Sequence, residues 1–364
     1  MMAVTATVTE GCAPMTPGGG DANGLVLLPG FTSRVVARAG QPVASTGQVF
    51  RIFPDGAATF ADPETAGGWI HCVNHEAPGP GGGVTAIRFA PDGTIVGSLE
   101  ILTGTSTNCA GGRTPWGTWL SCEEFETGHV FECSPTGGAP VMRPALGACY
   151  HEAAAVATDG RVYLTEDRPN GGLYRFAPTV AGDLSAGLLE IAIGTAPGPV
   201  AWAAVPDPSR TFTSLREQVP GTMVFDGGEG IDTLGNKLWF TTKGDNRVWE
   251  YNIATSVVSI RYQGDANPLS GVDNLLVDAA SQNLFIAEDG GNMEMVMLRP
   301  DNTAVPVIRV LGQDGSEITG PAFSPDGSRF YFSSQRGPAG VSGGLPLGVL
   351  YEVTGDWDTL LGRP

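Results

Sequence analysis

One phrase returns along the chain: a strand, a tight turn, and a second strand that runs into carboxylates. It reads Gly117-Thr-Trp-Leu-Ser-Cys-Glu-Glu124, Gly160-Arg-Val-Tyr-Leu-Thr-Glu-Asp167 and Asn283-Leu-Phe-Ile-Ala-Glu-Asp289, with altered copies ending at Lys243 and Gln335. A strand-only unit repeated at a spacing of ~40–45 residues cannot bury its apolar faces alone, so successive copies must stack on one another. The expectation is an all-β chain, a six-bladed β-propeller with a small inserted cap segment. Matching strand positions carry Trp119, Tyr163, Trp239, Phe285 and Phe330, which should pack one blade against the next.

Composition agrees with a turn-dense β protein, since 53 Gly and 28 Pro stand against only 16% charged residues. Turns are read at Asp55-Gly56, Asp92-Gly93, Asp159-Gly160, Leu234-Gly235 and Asp326-Gly327. Residues 1–24 read as a flexible N-terminal arm and 25–364 as a single propeller domain, with an insertion near 181–217. Within that region the stretch from Phe212 to Val219 has apolar spacing that suits a short helix.

The net charge of −18, from 38 acids and 20 bases, repels nucleic acid and anionic membranes and suits metal cations. No apolar run is long enough for a membrane span, and neither a basic nor an apolar leader region is visible at the N-terminus. Six cysteines are too few for a disulfide scaffold, although Cys122 and Cys133 could bridge a hairpin.

A polar group also stands seven to ten residues before each turn: Asn108-Cys109, His151-Glu152, Glu229, Asp273-Asn274 and Thr319-Gly320-Pro321. In an antiparallel hairpin the start of the first strand lies beside the end of the second, so these groups should neighbour the terminal carboxylates. Equivalent blade ends share one mouth of the channel. The candidate metal ligands are Glu76, Cys109, Glu123, Glu124, Glu152, Glu166, Asp167, Glu229, Asp273, Glu288 and Asp289. Oxygen donors suit Ca²⁺, while a Cys109 thiolate points to a transition metal such as iron or zinc. Cys109 is read as a ligand ahead of a small core residue, while His151 reads equally as a ligand or a structural histidine.

These segments resemble the PhoX-type alkaline phosphatases, most specifically through Asn108-Cys-Ala-Gly-Gly-Arg-Thr-Pro-Trp-Gly-Thr-Trp-Leu-Ser-Cys-Glu-Glu124. Further likeness lies in His151-Glu-Ala-Ala-Ala-Val156, Thr165-Glu-Asp-Arg168, Val272-Asp-Asn-Leu275, Glu288-Asp-Gly290 and Gly320-Pro-Ala-Phe-Ser-Pro-Asp-Gly327. The resemblance implies a Ca²⁺ and Fe³⁺ cluster at the channel mouth that hydrolyses a small-molecule phosphate ester, and a periplasmic or secreted, monomeric protein. It makes Cys109 an iron ligand and assigns Glu124, Glu152, Glu229, Glu288 and Asp289 to its acidic metal-binding blocks. The family usually sets Arg-Pro before the counterpart of Glu229, where this chain has Gly227-Gly228. Glu229 is placed in the catalytic set, and Arg168, Lys243, Arg336 or Arg113 would then contact phosphate. The rival readings are a calcium-dependent lactonase or esterase and a non-catalytic calcium-stabilised binding propeller.

Overall fold

In the computed structural model, residues 19–264, 268–338 and 347–363 are described; most of the expected N-terminal arm, residues 1–18, lies outside them. The chain is built almost wholly of antiparallel strands, joined by short turns in a propeller-like arrangement, with a five-residue α-helix at Trp357–Leu361. Six four-stranded meanders follow one another. Their first strands are Pro54–Ala61, Asn108–Arg113, His151–Val156, Gly228–Leu234, Val272–Val277 and Ile318–Phe323. Each of these inner strands packs on the next, and the last returns to the first, so they form a closed ring around an axis.

Apolar packing explains the ring. The described residues hold no single core; they hold six clusters, each between two consecutive meanders. Trp119 and Cys133 of the second join Ile70 and Val84 of the first, and Leu120 and Val130 join Leu164 of the third. Tyr163 joins Phe240 and Tyr251, Trp239 joins Leu275 and Leu284, and Phe285 joins Phe330 and Tyr351. Tyr331 and Leu350 then pack on Trp69 and Val73, which closes the circle. All five aromatic residues expected between blades are buried. Closure is also hydrogen-bonded, because the N-terminal strand Thr32–Arg38 pairs with Val349–Thr354 and supplies the outer strand of the last meander.

Hydrogen bonding groups the strands into five sheets, because the third and fourth meanders share one nine-stranded sheet. The insertion causes this. Rather than a helix, it forms the long strand Asp183–Gly194 and the strand Gly198–Ala204, whose start pairs with Val257 and Val258 of the fourth meander. Only a 3-10 turn, Leu215–Glu217, occurs where a helix was expected. The following loop reaches the hairpin ends of the second and third meanders: Arg210 donates to the Glu126 carbonyl at 2.7 Å and Arg216 to Glu166 at 2.5 Å. Asp55-Gly56 is not a hairpin turn but lies inside the first inner strand, and the Cys122 and Cys133 thiols are free.

Candidate metal centre

Every inner strand breaks register at the same place. Pairing jumps between Pro54 and Ala57, Asn108 and Gly111, His151 and Ala154, Gly228 and Ile231, Val272 and Leu275, and Thr319 and Ala322. A bulge of one extra residue re-aims the side chain it carries. The first bulged residues are Asp55, Cys109, Glu152, Glu229 and Asp273, with Gly320 in the sixth strand. The second are small or short: Gly56, Ala110, Ala153, Gly230, Asn274 and Pro321. Crowding of the inner backbones demands this. A Cβ on Gly230 would come within 2.3 Å of the Leu275 nitrogen, and one on Gly320, where φ is +60°, within 2.4 Å of the Asp55 carbonyl.

Side chains of neighbouring meanders hold the bulges. Asn74 Nδ2 donates to the Cys109 and Ala110 carbonyls at 3.1 and 2.8 Å. The Thr165 hydroxyl donates to the Glu229 carbonyl, the Thr241 hydroxyl to that of Asp273, and the Thr319 hydroxyl to that of Pro54. Asn74, Thr165 and Thr241 each lie two residues before a second set of polar groups, Glu76, Asp167 and Lys243, and strand alternation turns residues two apart to the same face.

The two sets meet. Ligand atoms of Asp55, Glu76 and Cys109 lie within 4.8 Å of one another, as do those of Cys109, Glu124 and Glu152, and those of Glu152, Glu229 and Asp273. Cys109 and Glu152 each belong to two groups, so the three run together as one array. Both carboxylate oxygens of Glu152, a residue 1% exposed, lack any hydrogen-bond partner, as does Asp55 Oδ1. Buried oxygens without donors are costly unless a cation completes them. Hard carboxylates around a single thiol therefore fit metal ions, and the residues present fit the group that the sequence implies.

Proton affinities carry the same strain. Burial, then the carboxylates of Glu229 and Glu124, push Glu152 well above the usual carboxylate range. Burial, with Asp167 and Glu76 adding, lifts Glu124 to about 9. Burial, with Asp289 adding, lifts Asp273 to about 7. The Cys109 thiol is raised by burial and then by Asp55 and Glu152. Two residues relieve part of the repulsion. Lys243 Nζ lies 2.7 Å from Glu229, 3.6 Å from Asp167 and 3.8 Å from Asp289. Gln335 Nε2 donates to Asp55 at 2.5 Å and Glu76 at 2.8 Å.

Three candidate ligands stand apart. Glu123 accepts the Ser106 and His129 amides at 3.0 and 3.1 Å. Glu166 accepts the Gly172 amide, the Tyr174 hydroxyl and Arg216. Glu288 accepts the Ser270 and Glu294 amides at 2.8 and 3.0 Å. Each precedes the residue that faces the axis, and so lies on the opposite face of its strand, where it pegs the loops at the hairpin end. His151 is likewise structural, with Nε2 3.0 Å from the Gly147 carbonyl. Arg336 is paired with Glu317 at 2.9 Å, and Arg113 lies at the far end of the channel, on a cavity of about 900 Å³ that runs beneath the bulges. The Arg168 guanidinium stacks on Tyr150, 4.6 Å from the ring centre, and forms no ion pair among the described residues. Sequence reasoning missed Asp55, Gln335 and Glu317, the last of these 5% exposed. Glu317 could have been found two residues before the Thr319-Gly320-Pro321 block.

A family model described as alkaline phosphatase PhoX matches residues 70–132 and 126–226. The solved structure of Pseudomonas fluorescens PhoX in complex with vanadate, a transition state analogue, superposes with a TM-score of 0.75 at 17% identity, covering 92% of this chain and 96% of that one. Over residues 70–226 the chain matches the alkaline phosphatase PhoX family, and the solved PhoX structure shares its fold. The PhoX match spans Glu76, Cys109, Glu124, Glu152, Asp167 and Arg168, and stops short of Glu229. More distant likenesses show the fold alone. A gluconolactonase from Xanthomonas campestris aligns at 11% identity and a TM-score of 0.54 over 90% of each chain. A putative gluconolactonase aligns at 13% and 0.51, over 91% of this chain and 94% of its own. No curated protein matches the sequence.

Proposed function

We propose that this chain is a metal-dependent phosphomonoester hydrolase, a six-bladed propeller in which the nine-stranded sheet counts as two blades stitched together. The observation that carries the reading is the array of bulged residues, with the partnerless Glu152 carboxylate at its middle. The likeness to the PhoX family suggests the reaction class, and the vanadate bound by the Pseudomonas fluorescens protein supports a phosphoryl substrate.

Asp55, Glu76, Cys109, Glu124, Glu152, Glu229 and Asp273 would hold the metals, with Asp167 and Asp289 at the rim. The carboxylates favour Ca²⁺, and the thiolate favours iron at the shared Cys109 corner. Bound cations would supply charge to grip phosphate oxygens and lower the pKa of a water. The protein's own part is to hold those donors in fixed positions on strands and to offer one unpaired guanidinium, Arg168, to an incoming phosphate. Arg336 is committed to Glu317 and serves to hold that carboxylate.

Hydrolysis of p-nitrophenyl phosphate by protein loaded with Ca²⁺ and Fe³⁺ tests the proposal. Turnover that vanishes on chelation and returns with metal is expected, and a fully metallated protein that is inert toward phosphate monoesters would contradict it. For Arg168→Met, loss of a charge-assisted contact should raise KM roughly ten-fold, with metal content unchanged.

A further inference from the structure

One position in the array reverses the sign of its charge. Directly after the second strand the first, second, third and fifth meanders place Glu76, Glu124, Asp167 and Asp289, whereas the sixth places the neutral Gln335 and the fourth alone places a cation, Lys243. Its ammonium does not turn away from the centre. It lies within 4.0 Å of carboxylates from three different meanders, Asp167, Glu229 and Asp289. The backbone that carries it is fixed on both sides, because the Lys243 amide donates to the Gly227 carbonyl at 2.8 Å and the Gly244 amide to the Asp226 carbonyl at 2.9 Å.

We propose that Lys243 is a resident cation: it fills the corner of the centre between the third, fourth and fifth meanders and takes the place of one divalent metal ion. The inference rests on the metal-centre reading above and adds to it how many ions this chain holds. Charge supports the exchange. Replacing a carboxylate by a lysine removes one negative charge and adds one positive, a change equal to the charge of one Ca²⁺. Geometry supports it too, since an ammonium offers three donors to three surrounding oxygens, and its position is set by the fold rather than by free metal concentration.

The test is metal stoichiometry, read by native mass spectrometry and elemental analysis on the full chain equilibrated with CaCl₂. Lys243→Glu places there the acid found in four of the other five meanders and should bind one more Ca²⁺ per chain than wild type, while Lys243→Arg keeps the wild-type count. Folding is checked by circular dichroism in the same buffer. If Lys243→Glu folds only poorly, Lys243→Met gives the same information: a count above wild type supports the exchange. An unchanged or lower count in folded Lys243→Met, or an unchanged count in folded Lys243→Glu, overturns it while leaving the metal centre standing. Wild-type protein that binds no metal at all would overturn both.

Discussion

Glu152 is the residue on which the chemistry turns. Its carboxylate is buried, unpaired, and shared between two potential coordination groups. Glu152→Gln should therefore cost metal before it costs fold. The expected outcome is loss of at least one bound ion and a fall in phosphatase rate of roughly a hundred-fold or more, read by elemental analysis alongside kinetics. Glu123 offers the contrast. Its carboxylate satisfies two backbone amides, so Glu123→Ala should lower stability by about 2 kcal/mol in a denaturant titration and leave the metal count intact. Nothing in the doublet Glu123-Glu124 tells which member faces the axis. That choice is made by strand register, which the hairpin pattern suggested only coarsely. The same ambiguity drew Glu166 and Glu288 into the ligand set, and Asp55-Gly56 was read as a turn because its composition is that of one.

At the scale of the element, the recurring device is the bulge. Six inner strands each carry it at the same distance from the mouth, and small second residues let the backbones crowd around the axis. Gly230→Ala should force Glu229 and Asp273 apart, with overpacking worth about 1–3 kcal/mol. A lower melting temperature together with weaker Ca²⁺ binding is expected; a melting change alone would mean that the bulge does not set ligand geometry. Upstream polar groups and terminal carboxylates were visible in the sequence as pairs, because antiparallel pairing follows from a short turn. Bulges were not visible, since they arise from contacts between meanders, such as the Asn74 amide on the Cys109 carbonyl. Nor was the strand Gly198–Ala204, which pairs with the preceding strand Asp183–Gly194 and, through its first residues, with Val257 and Val258 far along the chain.

For the whole molecule, the ring gathers acids that repel one another unless protonated or metal-bound. Without metal, Asp273 and Glu124 titrate in the fold near 7 and 9, above their ordinary carboxylate values. Groups whose folded pKa is raised favour the fold while they hold a proton, so their contribution is complete below about pH 4 and is lost as pH rises through 7 and 9. Chelated protein should melt at progressively lower temperature from about pH 5 to pH 9. Added Ca²⁺ should raise the melting temperature most at the alkaline end, because ions replace the missing protons. A chelated protein that grows more stable across that range would contradict the arrangement.

The most direct measurement is elemental analysis of the purified, untreated chain beside Glu152→Gln. More than one metal ion per wild-type chain, calcium together with a transition metal, and a reduced content in the variant is the predicted result. Wild-type protein that is folded, free of metal, and unable to take up calcium or iron when these are supplied would contradict the account.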